Sequence, residues 1–247
     1  MSDVFKGKRL LVVEDEADLR EPLMLEFESL GCIVFGAGNG KEALEIVKAE
    51  QLDAIISDIR MPGGDCVELL KSVKAIQHNF PVVMLITGFA DLSREEAYHL
   101  GAEAILTKPF NLDEIDAVVE RILTPKEILW QRSPDPKTVK SKIESVLVDV
   151  ANITIDGNLK LGRGGFFYQS FDKIGKKDDV VSLYVRFEKG ELLLLEGTGV
   201  IRWVRATSQG NLLPGYGIEF ESLDNNSKEK IIEILDALKL VPFIPMR

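Results

Sequence analysis

Cysteine and histidine are scarce in this chain of 247 residues, which contains two of each. Cys32 and Cys66 stand far apart without CxxC spacing, and no histidines cluster near them. Disulfide frameworks and zinc sites need several closely spaced ligands of these types. The sequence therefore predicts neither, and we interpret the two cysteines as core residues.

Long apolar runs are also absent. No stretch approaches the ~18 consecutive apolar residues that a membrane-spanning helix needs. The first residues, MSDVFK, lack the basic start and the apolar middle of a secretory signal. Because 45% of the residues are hydrophobic and 28% are charged, the composition is that of a soluble globular protein. We expect a cytoplasmic protein without membrane insertion.

The net charge of −10 is spread unevenly along the chain. Up to Thr124 there are 12 Lys and Arg against 23 Asp and Glu, and from Pro125 onward there are 18 against 17. Such asymmetry suggests two modules. The acidic first half would repel a phosphate backbone and the second half has no basic stripe, so DNA is not an expected partner.

The spacing of apolar residues divides the chain in the same way. Residues 1–124 alternate short apolar runs with amphipathic stretches, which predicts a five-stranded parallel sheet covered by helices on both faces, an α/β fold. Residues 125–137 contain three prolines and are predicted to be a linker. Residues 138–247 contain β-type runs such as ANITI, VVSLYVRF and GYGIEF, which predict a small antiparallel barrel or sandwich. A final helix is expected to begin near Ser227, with Ser227 as its N-cap residue.

Polar side chains follow four of the predicted parallel strands, namely Glu14, Asp15, Asp58, Thr87 and Lys108. Carboxyl ends of parallel strands meet at one edge of a sheet, so we expect these groups to lie together. Three carboxylates suit a hard divalent cation such as Mg²⁺. The set favours phosphoryl transfer to Asp58, with Lys108 neutralising the phosphate and Thr87 hydrogen bonding to it.

Residues 8–123 resemble the receiver domain of two-component response regulators. The motifs that carry the resemblance are LLVVEDE, IISDIRMPGGD, VVMLITG and GAEAILTKPF. The resemblance implies that Asp58 is phosphorylated by a histidine kinase or phosphotransfer protein. It also implies Mg²⁺ held by Asp15, Asp58 and the backbone carbonyl of Arg60, and a cis peptide between Lys108 and Pro109.

One position departs from the receiver pattern. The residue three before Lys108 is usually aromatic in the family, but it is Ile105 here. An aromatic ring that rotates inward after phosphorylation is therefore not available. Either isoleucine packing relays the change, or the output depends on another surface, for example a homodimer formed through the last receiver helices.

Residues 145–238 resemble a PilZ domain, a small β-barrel that senses cyclic di-GMP in many bacterial proteins. The resemblance rests on GGFF, GVIRWV and GYGIEF. The ligand motif is degenerate: in KLGRGG, Lys160 and Gly162 stand where the family has Asp and Ser, and only Gly164 and Gly165, after Arg163, are retained. No arginine lies between residues 133 and 162 to form the paired guanidinium forks that grip phosphates.

We therefore expect a signalling protein in which the PilZ-like output acts by protein–protein interaction. The alternative is a cyclic di-GMP receptor that binds the dinucleotide at a non-standard site. A transcription factor is not favoured, because no helix-turn-helix pattern is visible in the second half. An enzyme is not favoured either, because no nucleophile and base constellation follows residue 124.

Overall fold

The fold comes from a computed structural model that describes residues 3–61, 66–76, 81–88, 92–131, 138–149, 159–189, 194–238 and 242–246. The chain divides into two compact units, Met1–Thr124 and Pro125–Arg247. Within the described residues, no helix has the length and apolar character needed to cross a membrane.

The first unit is a five-stranded parallel sheet with the order β2-β1-β3-β4-β5, which confirms the predicted architecture. Its strands are β1 (Arg9–Val13), β2 (Ile33–Ala37), β3 (Ala54–Asp58), β4 (Val82–Thr87) and β5 (Ala104–Thr107). Its helices are α1 (Ala17–Ser29), α2 (Gly40–Ala49), α3 (Cys66–Ile76), α4 (Arg94–His99) and α5 (Leu112–Leu123).

The central strand β3 is buried along its whole length, because hydrophobic clusters cover both faces of the sheet. Ile55 packs on one face with Leu11 and Val83, and Ile56 packs on the other with Val12. Alternate residues of a strand point to opposite faces, so a strand covered on both sides is mainly apolar. The buried Ser57 hydroxyl in β3 donates to the Asp58 carbonyl at 3.0 Å. Burial on both faces explains the apolar residues Ala54–Ile56 of β3, and Asp58 is the carboxylate at the end of this strand.

Helix starts in this unit follow from local sequence. The Asn39 side chain accepts hydrogen bonds from the backbone N–H groups of Lys41 and Glu42, and the Gly38 N–H donates to the Glu42 carboxylate at 2.8 Å. Ser93 and Asn111 begin α4 and α5 with complete capping boxes. These caps satisfy backbone donors that have no partner inside the helix.

The second unit contains a six-stranded sheet with the order β6-β9-β10-β11-β8-β7. Its strands are β6 (Val139–Asp149), β7 (Leu159–Leu161), β8 (Gly165–Gln169), β9 (Val180–Lys189), β10 (Leu194–Arg205) and β11 (Gly215–Leu223). Two helices accompany the sheet, α6 (Lys126–Leu129) and α7 (Asn225–Leu238).

The sheet is mixed, so the prediction of an antiparallel sheet is wrong for one pair. β6 runs parallel to β9, from Val139 opposite Val180 to Asp149 opposite Lys189, whereas the other pairs are antiparallel. A parallel pair requires a long crossover, and the chain between β6 and β9 supplies it. Turn residues in the sequence indicate pairing between consecutive strands, so they could not predict the pairing of β6 with β9.

The predicted barrel stays a prediction. Among the described residues, β6 and β7 lie at opposite ends of the strand order and no pairing joins them. The predicted strand ANITI, at residues 151–155, lies outside the described residues. So do residues 132–137, the second half of the predicted linker.

The described residues at the start of the predicted linker pack into the hydrophobic core of the second unit. Trp130 is only 1% exposed and makes an edge contact with Phe220 at a ring-centroid distance of 5.4 Å. The Leu223 N–H donates to the Trp130 carbonyl at 2.9 Å. A large aromatic side chain gains most by burial, so this segment packs against the second sheet instead of remaining extended in solvent.

Helix α7 begins two residues earlier than the sequence predicts. Asp224 Oδ1 accepts from the backbone N–H groups of Asn226 and Ser227, at 3.0 and 3.2 Å. Ser227 is fully buried, and its hydroxyl accepts from the Glu196 N–H at 2.9 Å. Ser227 thus ties the first turn of the helix to β10, while Asp224 has the capping role expected of Ser227.

Candidate acidic site and glycine-rich loop

The polar groups at the carboxyl edge of the parallel sheet are held by the ends of four strands. Glu14 and Asp15 follow β1, Asp58 ends β3, Thr87 ends β4 and Lys108 follows β5. Glu14, Asp58 and Thr87 are 2%, 6% and 5% exposed, although all three are polar. Buried polar groups require partners, so this edge is a site where the fold brings specific groups together.

Three carboxylates converge at this edge. One ligand oxygen each from Glu14, Asp15 and Asp58 lies within 4.8 Å of the other two. Desolvation by burial raises the pKa of Glu14 above its usual value, and the neighbouring Asp58 charge adds to the rise, while a hydrogen bond from Lys108 opposes it. An all-oxygen set with concentrated negative charge fits a hard divalent cation such as Mg²⁺.

Lys108 bridges two of these carboxylates. Its Nζ donates to Asp58 Oδ2 at 2.5 Å and to Glu14 Oε2 at 3.0 Å. Burial alone would lower the pKa of Lys108, but the hydrogen bonds to the two carboxylates outweigh burial and raise it. The ammonium group is therefore positively charged at neutral pH and lies beside the Asp58 oxygen.

Backbone groups complete the surroundings of Asp58. The Arg60 N–H donates to Asp58 Oδ1 at 3.2 Å, which places the backbone of Arg60 beside the carboxylate. The Lys108 N–H donates to the Thr87 carbonyl at 2.8 Å, and the Thr87 hydroxyl donates to the Gly88 carbonyl at 2.7 Å. The peptide bond between Lys108 and Pro109 is cis.

Arg20 is a residue of this edge that the sequence analysis missed. Its guanidinium donates from Nη1 to the Glu14 carbonyl at 2.6 Å, and so links α1 to the end of β1. The contact fixes the backbone that carries both Glu14 and Asp15. No motif marks Arg20, because it lies within an amphipathic helix in which an arginine is ordinary.

Ile105 lies within the hydrophobic cluster on one face of the sheet. It is 7% exposed and pairs in register with Leu85 on β4. The position that is usually aromatic in receivers is thus filled by a packed aliphatic side chain.

The glycine-rich loop of the second unit is a tight turn between β7 and β8. The Gly162 N–H donates to the Gly165 carbonyl at 2.8 Å, and the Phe220 N–H donates to the Gly164 carbonyl at 3.0 Å. Lys160 lies on β7 and is half-buried, while Arg163 is only 4% exposed. The loop therefore packs against the protein itself and does not present Arg163 to solvent.

Comparisons with known proteins place the first unit among receivers. Residues 10–120 match the family described as response regulator receiver domain. Sporulation initiation phosphotransferase F of Bacillus subtilis is 36% identical over 121 residues, which cover 49% of this chain and 97% of that protein. The alkaline phosphatase synthesis transcriptional regulatory protein PhoP of the same organism is 29% identical over 190 residues, which cover 76% of this chain and 75% of that protein.

Among solved structures, chemotaxis response regulator CheY4 of Vibrio cholerae is 28% identical. The match has a TM-score of 0.44 and covers 47% of this chain and 99% of that chain.

Proposed function

This chain belongs, through residues 10–120, to the response regulator receiver family, and we propose that Asp58 is the residue that accepts the phosphoryl group. The phosphoryl donor is a phosphohistidine of a histidine kinase or phosphotransfer protein. The observation that carries the proposal is the contact of Lys108 Nζ with Asp58 Oδ2, next to the carboxylates of Glu14 and Asp15.

The chemistry follows from these positions. An Asp58 carboxylate oxygen attacks phosphorus, a P–O bond forms, and the P–N bond to the donor imidazole breaks. The transition state spreads negative charge over the phosphoryl oxygens, so positioning and cationic stabilisation dominate catalysis. Lys108 supplies one positive charge within hydrogen-bonding distance of the new acyl phosphate.

Glu14, Asp15 and Asp58, with the backbone carbonyl of Arg60, would hold Mg²⁺. When bound, the cation neutralises phosphoryl oxygens as a Lewis acid. Arg20 positions the backbone of the two acidic residues after β1. We propose that the Thr87 hydroxyl, which donates to the Gly88 carbonyl in this structure, turns to the phosphoryl oxygens after transfer. Phosphorylation adds negative charge at this edge of the sheet. A hydroxyl that changes its hydrogen-bond partner in response can shift the equilibrium between two packed conformations.

For the second unit we propose a PilZ-like output module that docks a protein partner. A sheet of six strands followed by a helix supports this proposal, together with the motifs GVIRWV and GYGIEF on β10 and β11. The geometry gives the cyclic di-GMP alternative no support, because Arg163 is buried and the Gly162–Gly165 turn is covered by other residues of the unit.

A role in transcription is the other candidate, since the relative PhoP of Bacillus subtilis is a transcriptional regulatory protein by name. In the described part of the second unit, the helices are the four-residue α6 and the terminal α7. These two helices do not form a helix-turn-helix, because strands β6 to β11 lie between them in the sequence. We therefore favour a protein partner.

The test is incubation of the full chain with Mg²⁺ and a small phosphodonor such as acetyl phosphate. Intact mass should increase by one phosphoryl group, and chelation of Mg²⁺ should abolish the increase. Asp58→Asn should not be labelled, whereas Asp18→Asn, at an exposed aspartate of α1, should behave as wild type. Equal labelling of Asp58→Asn and wild type would overturn the proposal.

A further inference from the structure

The chain's own C-terminal segment covers the glycine-rich turn of the second unit. We call residues Pro242–Met246 the strap. The Arg163 N–H donates to the Pro242 carbonyl at 2.9 Å, and the Gly164 N–H donates to the Phe243 carbonyl at 2.8 Å. Two consecutive amides of the turn thus bond two consecutive carbonyls of the strap, whose backbone bends at Phe243 and Ile244.

The glycines of the turn are explained by this close approach. A Cβ atom at Gly164 would overlap the ring of Phe243, and one at Gly162 would lie 2.8 Å from the Phe243 carbonyl oxygen. Real side chains do not tolerate such contacts with backbone or with a packed ring. The spacing that resembles a degenerate nucleotide motif therefore serves contact with the strap in this chain.

The strap is anchored by burial and by charged groups. Phe243 and Ile244 are 6% and 0% exposed. The Lys126 ammonium and the Arg163 guanidinium each lie 5.8 Å from the centroid of the Phe243 ring, within the range of cation–π attraction. At the far end, Arg205 donates from Nη2 to the Met246 carbonyl at 3.0 Å.

The composition of the strap limits its backbone freedom. Pro242 and Pro245 flank the sequence Phe-Ile, and each proline has a fixed φ and offers no N–H. The contacts described above involve carbonyl oxygens, the Phe243 ring and the buried Ile244 side chain of the strap. Because these groups belong to residues 242–246 themselves, a separate peptide of the same sequence offers the same groups to the turn.

We infer that the Gly162–Gly165 turn, with Lys126 and Arg205, forms a binding site for a short peptide that contains an aromatic residue between two prolines. The strap occupies this site in the chain, and a partner peptide of the same chemistry binds there in its place. The inference deepens the proposed role of the second unit as an interaction module and rests on that role.

The first test uses the full chain and a fluorescent peptide with the sequence VPFIPMR, residues 241–247. Phe243→Ala weakens the internal competitor, so fluorescence anisotropy should show saturable peptide binding at least about tenfold tighter than to wild type. Phe171→Ala, at a phenylalanine that is 77% exposed, is the matched control and should bind as wild type. A labelled peptide with alanine in place of phenylalanine should not bind.

The second test measures release of the strap without any added peptide. Gly164→Ala should accelerate chymotrypsin cleavage after Phe243 at least about tenfold, because the new methyl group expels the ring. Cleavage after the buried Trp130 should stay slow, which shows that the unit remains folded. Gly38→Ala, where a Cβ would meet only ordinary contacts at 3.5 Å, should not change the rate.

The inference is overturned if Phe243→Ala binds peptide no better than Phe171→Ala, or if Gly164→Ala leaves the cleavage rate after Phe243 unchanged. Both tests are made without a phosphodonor. Their failure would therefore leave Asp58 as the proposed phosphoacceptor, and failure of phosphorylation would leave the peptide site standing.

Discussion

Lys108 Nζ lies 2.5 Å from Asp58 Oδ2, although the two residues are 50 positions apart in the chain. Each side chain reaches the contact from the carboxyl end of a different parallel strand. The same ammonium contacts Glu14 at 3.0 Å. One cation thus offsets two of the three carboxylates at which a divalent metal ion would bind.

Replacing Lys108 should separate its effect on metal binding from its effect on phosphorylation. In Lys108→Ala, the ammonium no longer repels the metal ion or competes for the carboxylates, so Mg²⁺ should bind about three- to tenfold tighter by titration calorimetry. Phosphorylation should nevertheless be slower, because the acyl phosphate loses a neutralising charge. Lys41→Ala, at an exposed lysine of α2, is the control. Mg²⁺ affinity that is unchanged or weaker in Lys108→Ala would contradict this assignment.

A buried ion pair at the opposite end of the sheet should be important for stability. Lys74 Nζ lies 3.4 Å from Glu103 Oε1, both side chains are 3% exposed, and Lys74 also donates to the Pro81 carbonyl at 2.9 Å. Glu103→Leu leaves the ammonium buried without its carboxylate and should destabilise the first unit by about 3–5 kcal/mol.

Hydrogen exchange of the β3 amides measures this loss in the first unit specifically. The double variant Lys74→Met with Glu103→Leu should recover most of the stability, since both charges are gone. Lys48→Ala removes an exposed pair with Glu45 and should cost under about 0.5 kcal/mol. A loss in Glu103→Leu no larger than in Lys48→Ala would refute the role of the buried pair.

Asp116 on α5 should make the first unit less stable as pH rises. Burial raises the pKa of Asp116 to about 6, with further contributions from Glu26 and Asp113. A raised carboxyl pKa means that the folded state favours the protonated form, so this contribution to stability is present at low pH and is lost as pH rises through about 6.

Asparagine cannot ionise, so Asp116→Asn should slow exchange of the β3 amides at pH 7.5, by a stabilisation of about 1 kcal/mol after allowance for exposure. At pH 4 the variant and wild type should differ little. Asp18→Asn, at an exposed position of α1, should show no such dependence. The same difference between Asp116→Asn and wild type at both pH values would rule out this titration.

The parallel sheet and the acidic edge could be predicted because their signals are local. Each strand is a short apolar run, and each polar residue stands directly after one, so the topology of a parallel sheet brings Glu14, Asp58 and Lys108 together without knowledge of distances. The cap at Asn39 is equally local, since its partners are two and three residues away.

The features that escaped prediction depend on distant partners. Arg20 is an ordinary helix residue until its contact with the Glu14 carbonyl is seen. The parallel pairing of β6 with β9 joins segments about 40 positions apart. The glycines at 162 and 164 could be described only as part of a degenerate ligand motif, because the segment that packs against them lies about 80 positions further along the chain.

The most direct test of the central claim is to locate the phosphoryl group. Protein treated with Mg²⁺ and acetyl phosphate is reduced with borohydride, which converts an aspartyl phosphate to homoserine, and the peptides are sequenced by mass spectrometry. We predict homoserine at position 58 and at no other acidic residue. Homoserine at Asp15, or an unmodified Asp58 in protein that carries a phosphoryl group, would contradict it.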